Sequence, residues 1–287
     1  MKKHFLLALG FLIVSTGSVL GQKLENSNLW KISGNGLEQP SYLFGTMHIL
    51  CDATLSNKVK KALDETSQLV LELDMDDPEM QSQMVKSMFM SDNKTLKDFV
   101  DDKEYQLIDS LFIKNLGMSV KMMERVKPFF LSASFYPTLL DCPIESIEEE
   151  LMKIAKEQKE EVIGLETFQF QLKVFDEIPY KEQVKDLVRS AKDNLASDKA
   201  NTIKMMQVYK DEDINGLLKM ISDDTDSYMS KNMDKLLDDR NKNWIPKIKA
   251  LSKEKPTFFG VGAGHLAGEN GVIKLLRKAG YTVTPVM

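Results

Sequence analysis

Tyr42-Leu43-Phe44-Gly45-Thr46-Met47-His48 is the stretch from which the expected fold is built, and Phe258-Phe259-Gly260-Val261-Gly262-Ala263-Gly264-His265 repeats its pattern. In both, an apolar run reaches a glycine, and a histidine follows three residues later. Such a run suits a strand that is buried on both faces, as in a parallel sheet. The glycine permits a sharp exit, so each histidine is expected just past a strand's carboxyl end, where open α/β sheets bind ligands.

The histidines are few, and their positions point to a site. The chain holds 3 histidines, and His4 lies in a segment that we expect to be removed. The two that stay, His48 and His265, each belong to a G-x-x-H motif. We therefore predict that both are functional, although a lone histidine near a strand end is more often a hydrogen-bonded structural residue.

The first 21 residues have the composition of a signal peptide. Lys2 and Lys3 precede an apolar run over 5–14, and Val19-Leu20-Gly21 predicts cleavage before Gln22. We expect an exported protein, periplasmic or extracellular, with no stable membrane span after cleavage. An uncleaved anchor is the alternative, although the run is short for a span.

The charge balance excludes one class of partner. Removing 1–21 takes away two lysines and no acidic residue, so the formal net charge changes from −5 to −7. An acidic protein is a poor partner for nucleic acid or an anionic membrane surface. A peptide or a small molecule is the expected substrate.

The two cysteines predict one disulfide. Cys51 and Cys142 would close a loop of roughly 90 residues, which stabilises a fold by up to about 4 kcal/mol in the entropy model. Two separate buried thiols are the alternative. Metal binding through both is disfavoured because they lack the close spacing of a zinc knuckle.

The order of elements predicts an α/β fold: a central, largely parallel sheet with flanking helices and a large helical insertion. Residues 29–33 and 41–44 are expected to form a hairpin, and a helix over 55–66 followed by a strand over 68–74 completes a βαβ unit with parallel strands. A second βαβ unit is predicted from a strand over 256–261, a helix over 271–279 and a strand over 281–286. We expect one domain over 22–287, with a helix over 145–159, a strand over 161–166, a helical lobe over about 77–140 and a helical segment over about 180–254.

Four predicted strands each deliver a polar side chain near the carboxyl end, namely His48, Glu72, Glu166 and His265. If these strands are parallel neighbours, two imidazoles and two carboxylates converge on one sheet edge. This donor set suits Mn, Co, Fe or Zn, which would activate a bound water. Alternatively, one histidine acts as base without a metal, while a neighbouring glutamate fixes its tautomer.

The acidic and basic candidates also have structural interpretations. Glu72 stands in an apolar strand, where an unpaired carboxylate is costly to bury. Glu166 is also placed to cap the helix that starts at Thr167. Arg240 is either a surface ion-pair partner or a clamp for a carboxylate or oxyanion. The run 148–150 of three glutamates is interpreted as a solvated helix face.

Five motifs in order resemble the TraB/PrgY/GumN family: Gly45-Thr46-Met47-His48, Leu71-Glu72-Leu73-Asp74, Gly164-Leu165-Glu166-Thr167, Asp239-Arg240-Asn241 and Gly262-Ala263-Gly264-His265. The resemblance covers the chain from about Leu29 to its end. It implies a fold like that of erythromycin esterase and the haem-binding ChaN proteins. It also implies relation to the Tiki proteases, which use Mn or Co to clip an extended peptide.

By that resemblance, His48, His265 and Glu72 are the expected metal ligands, and Glu72 or Glu166 is the expected general base. Arg240 is expected to act in catalysis and, with Asn241, in substrate binding. The resulting hypothesis is an exported, metal-dependent hydrolase, a peptidase that favours Mn or Co, with Zn or Fe as further options. A metal-independent, histidine-based esterase-type hydrolase and a non-enzymatic binder of peptide or haem are the alternatives.

Overall fold

The structure is a computed structural model that describes residues 23–287. The predicted signal peptide over 1–21 and its cleavage before Gln22 lie outside the described residues. Between 23 and 287, no helix combines the length and the apolarity that crossing a bilayer requires.

The described chain is mixed α/β and is built around one six-stranded mixed sheet. Its strands, in spatial order, are β4, β3, β5, β2, β1 and β6. The pairs β4–β3, β3–β5 and β5–β2 are parallel, whereas β2–β1 and β1–β6 are antiparallel. The strand bounds are β1 Leu29–Ser33, β2 Ser41–Thr46, β3 Leu69–Leu71, β4 Val162–Gly164, β5 Phe258–Gly262 and β6 Thr282–Pro285.

The two strands that carry the G-x-x-H motifs are parallel neighbours at the centre of the sheet. Leu43 is paired with Phe259, and Phe44 with Gly260. Every residue of β2 is buried, as the continuous apolar run predicts. The hairpin of β1 and β2 is confirmed. Its turn, 34–36, has positive φ at all three residues, which two glycines and an asparagine accommodate.

The two predicted βαβ units have different outcomes. Strands β2 and β3 run parallel, as predicted, with β5 inserted between them. The prediction of the second unit was wrong about strand pairing, because β6 does not lie beside β5. It pairs antiparallel with β1 at the edge of the sheet. The sequence pattern of β6 identifies a strand but contains no information about its partner.

Twelve helices are described. The predicted lobe over about 77–140 contains three helices separated by loops and short 3₁₀ turns, and the segment over about 180–254 contains five with short breaks. The bounds are α1 Asn57–Asp64, α2 Met80–Ser87, α3 Asp102–Leu116, α4 Pro128–Ala133, α5 Ile147–Gln158, α6 Phe168–Asp176, α7 Tyr180–Lys192, α8 Ala196–Lys210, α9 Ile214–Asp223, α10 Tyr228–Lys231, α11 Asp239–Glu254 and α12 Val272–Lys278.

Alternate side chains of the central strands fill two apolar cores, one on each face of the sheet. Phe44 and Phe258 pack with α1 and α5 on one face. Leu43 and Phe259 pack with α11 and α12 on the other. A third core joins α3 to α7 through residues such as Phe112. Because both faces are covered, the carboxyl edge of the parallel strands is the exposed rim at which polar side chains collect.

Candidate active site

The buried guanidinium of Arg240 is the centre of the candidate site. It lies in the first turn of α11, directly after a π-helical turn over Asp234–Asp238. Arg240 Nη2 donates to Glu72 Oε2 and, at 2.6 Å, to Glu166 Oε1. Its Nε donates to the same Glu166 carboxylate at 3.0 Å. The structure thus brings together the side chains that follow β3 and β4, as the sequence predicts.

The remaining donors of Arg240 are also occupied. Nη1 donates to the Leu236 carbonyl at 3.0 Å and lies 3.2 Å from His265 Nε2. All five guanidinium N–H groups therefore have acceptors inside the protein. Arg240 is only 6% exposed, so the planar fork holds two carboxylates and an imidazole in one buried unit.

His265 is a neutral ring with a defined tautomer. An arginine cannot accept a hydrogen bond, so His265 Nε2 must be the unprotonated nitrogen that accepts from Arg240. The opposite nitrogen, Nδ1, lies 2.6 Å from Asn241 Oδ1, while the Asn241 amide nitrogen donates to the Asn270 carbonyl. Burial, reinforced by the charge of Arg240, lowers the pKa of His265 to about 3.

Glu72 is ionised despite its burial. Burial alone would raise its pKa, but the Arg240 guanidinium and the backbone N–H of Gly262, which donates to Oε1 at 2.8 Å, lower it to about 2. Gln171 Nε2 lies 3.2 Å from oxygens of both Glu72 and Glu166. Trp244 Nε1 donates to Glu166 Oε2 at 3.0 Å. Each carboxylate therefore has several donors.

His48 lies apart from this unit. Its Nδ1 is 2.9 Å from Glu148 Oε1, and its side chain is 69% exposed, whereas that of Glu148 is 5% exposed. Desolvation opposes the charged ring, but the hydrogen bond to Glu148 and that residue's charge outweigh it and raise the pKa of His48 to about 9. The structure therefore groups three of the four predicted side chains and leaves the fourth on a different carboxylate.

Glu148 corrects one sequence interpretation. The run of three glutamates over 148–150 was interpreted as a solvated face, which is wrong for its first member, since Glu148 is 4% exposed. The spacing contained a signal: Glu148 stands three and seven residues before Leu151 and Ala155, both buried on the same face of α5. Gln171 and Trp244 were also missed, because neither belongs to a motif.

The glycine of the first motif, Gly45, has a different role from the one expected, whereas Gly262 of the second motif does end its strand, β5. Gly45 lies within β2, before the strand ends, so it makes no sharp exit. A Cβ added there would come within 2.7 Å of Leu266 Cδ1 and 3.1 Å of the Ala263 Cα. The missing side chain lets the His265 segment approach β2. The first glycine thus serves the placement of the second histidine.

The disulfide between Cys51 and Cys142 is present, as predicted, with the two Cα atoms 5.6 Å apart. It joins the loop after His48 to the segment that leads into α5. Leu50 and Glu145 exchange two backbone hydrogen bonds beside it. The neighbourhood of His48 is therefore tied to the segment that carries Glu148.

The predicted metal ligands do not form a cation site in this arrangement. Between 23 and 287, no group of three or more histidine, cysteine, aspartate or glutamate side chains is placed to hold an ion. His265 Nε2 and Glu72 Oε1 approach to 3.7 Å, but Arg240 already donates to that nitrogen and to both carboxylates. His48, the predicted third ligand, is paired with Glu148. The residues as placed do not fit a divalent ion.

The curated proteins that the chain is similar to carry the name metalloprotease TIKI. The chain is 22% identical to the "Metalloprotease TIKI homolog" of Amphimedon queenslandica, over 90% of this chain and 61% of that protein. It is 22% identical to "Metalloprotease TIKI1" of Danio rerio, over 90% of this chain and 63% of that protein, and 20% identical to "Metalloprotease TIKI2" of Danio rerio, over 92% and 62%. The chain thus spans about three fifths of the length of these relatives. No solved structure gives a significant match.

A family model covers almost everything that the structure describes. The model of the TraB/PrgY/gumN family matches residues 28–285, a range that includes all six strands and every residue of the candidate site. The motifs on which the resemblance was based all fall inside this range. The chain belongs to the TraB/PrgY/gumN family.

Proposed function

We propose that this protein is an exported peptidase that hydrolyses an extended peptide at the carboxyl edge of β2, β3, β4 and β5. One observation carries the proposal: the four parallel neighbours deliver the exposed His48 and the buried Glu72, Glu166 and His265 to one edge, where Arg240 of α11 joins the three buried residues into one unit. The relatives' name, metalloprotease, supports a peptide as substrate. Hydrolysis needs groups that take a proton from water and return one to the leaving amine.

In the resting protein, the residues of the buried unit are proposed to hold charges of both signs at fixed positions. Glu72 keeps its negative charge over the physiological range, and Arg240 holds it against Glu166. Glu72 or Glu166 is retained as the proposed general base, and acceptance of a proton by either would require its ion pair with Arg240 to open. Arg240 and Asn241 are retained as proposed substrate-site residues. Their buried contacts favour positioning of Glu72 and His265 over direct contact with a substrate.

Metal dependence is a separate part of the proposal. The word metalloprotease in the relatives' names supports a bound ion, and Mn or Co is the proposed choice, with Zn or Fe as further options. The disagreement with the donor geometry described above means that no proton transfer is derived through an ion. Ligation by His265 and Glu72 would require Arg240 to release His265 Nε2, whereas His48 would ligate through Nε2 and keep Glu148 at Nδ1.

A metal-independent hydrolase is the second candidate, and the pair of His48 with Glu148 favours it. The Glu148 carboxylate faces Nδ1, so Nε2 is the nitrogen that loses its proton as the pH rises through the raised pKa of about 9, and the neutral ring can then take a proton from water there. A buried carboxylate behind an exposed imidazole is an arrangement that general base catalysis uses. This candidate and the first share the same substrate edge.

A cavity large enough for part of a peptide borders the segment that carries His265, although no side chain of the candidate site lines it. A cavity of about 480 Å³ lies among α4, α7, α8, α9 and α10, with Phe135, Tyr136 and Tyr228 in its wall. Its lining residue Ile221 would stand 3.1 Å from a Cβ at Gly264, the residue before His265. A volume of this size accommodates several side chains of a bound peptide. The cavity supports a substrate path that leads to the His265 segment.

Two further elements belong to the proposal. The disulfide supports an oxidising compartment and therefore export to the periplasm or the extracellular space. The fold is proposed to be erythromycin esterase/ChaN-like, with a largely parallel sheet, which the four parallel neighbours β4, β3, β5 and β2 support.

The test is a cleavage assay of the purified chain against a mixed library of unstructured peptides, read by mass spectrometry. It is run with EDTA and after addition of Mn or Co. Cleavage that needs Mn or Co supports the metal-dependent form, and cleavage that survives EDTA supports the second candidate. H48A and H265A should each abolish turnover. A wild-type protein that cleaves no peptide under either condition contradicts the proposed function.

A further inference from the structure

Glu148 is a buried carboxylate that no motif of the family resemblance includes. Its Oε2 accepts from the Ser146 hydroxyl at 2.6 Å. Its Oε1 forms an ion pair with His48, 2.9 Å from Nδ1, and accepts no hydrogen bond of standard geometry in the described part of the chain. Without the charge of His48 beside it, this buried carboxylate oxygen would have no compensating group, which is costly. The burial of Glu148 therefore depends on His48.

The two segments that carry this pair are joined at several points. The Cys51–Cys142 disulfide and the paired backbone of Leu50 and Glu145 lie between them. The Ile147 N–H also donates to the Met47 carbonyl at 3.3 Å, one residue from each partner of the pair. The His48 loop and the first turn of α5 thus form one connected unit.

The same device appears at the other histidine. At His265, Asn241 accepts from Nδ1, and Nε2 is the unprotonated nitrogen. At His48, Glu148 faces Nδ1 in the same way. The nitrogen that carries the proton in a neutral imidazole is set by the hydrogen bond that the ring makes. Both G-x-x-H histidines thus have an oxygen acceptor at Nδ1. The two acceptors, Asn241 and Glu148, are different residue types and belong to no common sequence motif.

We propose that Glu148 is a positioning residue for His48: it holds a proton on Nδ1, so that Nε2 is the nitrogen that gains and loses a proton at the substrate edge. The use of that nitrogen in catalysis rests on the proposed function, whereas the tautomer does not. Glu148 acts through His48 and makes no contact with substrate in this proposal. The role applies whether Nε2 meets a proton or an ion.

The test compares E148M, which removes the acceptor at similar volume, with E148Q, which keeps one. E149M is the matched control, because Glu149 is the exposed neighbour on the same helix. The first readout is the imidazole ¹⁵N spectrum of the purified chain in EDTA, taken at a pH where the rings are neutral. H48A and H265A assign the signals. The proposal expects the His48 proton on Nδ1 in the wild type, E148Q and E149M, and a shift toward Nε2 in E148M.

The second readout is turnover. E148M should lower kcat by about 10- to 100-fold with little change in KM, E148Q should recover part of this, and E149M should equal the wild type. A neutral wild-type His48 with its proton on Nε2 overturns the proposal, and this result needs no variant to fold. An E148M protein with wild-type tautomer and kcat also overturns it. If the wild type cleaves no peptide, the proposed function fails while the spectra still decide the role of Glu148.

Discussion

Arg240 Nη1 lies 3.2 Å from His265 Nε2, so a permanent cation faces the imidazole that the family resemblance implies as a metal ligand. Arginine keeps its proton at any pH that the protein tolerates, and the contact is compatible only with a neutral His265. The same guanidinium compensates Glu72 and Glu166. The buried unit is therefore an ion cluster whose integrity depends on one side chain.

Replacing Arg240 by methionine should lower the free energy of unfolding by about 3–5 kcal/mol, because two buried carboxylates lose their counter-ion. Urea unfolding at pH 7 measures the loss. K242M is the control on the same helix: Lys242 forms an exposed pair with Asp239, and such pairs contribute about 0–1 kcal/mol. Equal losses of unfolding free energy in R240M and K242M would contradict the role of Arg240 as the counter-ion of the two buried carboxylates.

The stability of the wild type should fall as the pH decreases from about 5 toward 2. The folded-state pKa of Glu72 is lowered from 4.5 to about 2, so its stabilising contribution is present above pH 4.5 and is lost as the pH falls through 2. The shift corresponds to a loss on the order of 3 kcal/mol. In E72Q this part of the pH dependence should be missing, whereas E149Q should keep it. Parallel wild-type and E72Q curves in acid urea titrations would refute the assignment.

The sequence predicted the strands that hold the site because their apolar runs are continuous and end in polar residues. Residues 41–44 and 256–261 contain most of β2 and β5, and the disulfide followed from having only two cysteines. The pairing of β6 was not predictable from its pattern. Only Val283 of that strand is well buried, and such a short edge strand fits either side of a sheet.

The site was predicted as four side chains around one point, whereas the structure has two groups. Sequence order places His48, Glu72, Glu166 and His265 at strand ends, but it does not give their partners. Arg240 and Glu148 both come from helices that pack beside the edge, and packing is a long-range property. A buried acidic residue at helical spacing from Leu151 was the one local sign of a partner for His48.

Reduction of the Cys51–Cys142 bond should lower stability by up to about 4 kcal/mol, because it releases a loop of 91 residues in the unfolded chain. The chain has 2 cysteines, so a reductant acts on this bond alone. Thermal unfolding with and without dithiothreitol measures the change. The C51S/C142S protein should match the reduced wild type and should not respond to reductant. Identical unfolding temperatures for the wild type in both conditions would contradict a stabilising bond.

Gly45→Ala tests why the first motif needs its glycine. The new methyl group would stand 2.7 Å from Leu266 Cδ1 and 3.1 Å from Ala263, so β2 and the His265 segment would have to separate. Overpacking of this kind costs about 1–3 kcal/mol. Leu266 is fully buried, so L266A alone should also destabilise. In the double variant G45A/L266A, the shortened side chain removes the nearest clash, and the loss should be smaller than the two single losses added together. Strictly additive losses would mean that no close contact joins Gly45 to Leu266. A coupled result would instead show that the glycine of the first G-x-x-H motif packs against Leu266, the residue that follows the histidine of the second.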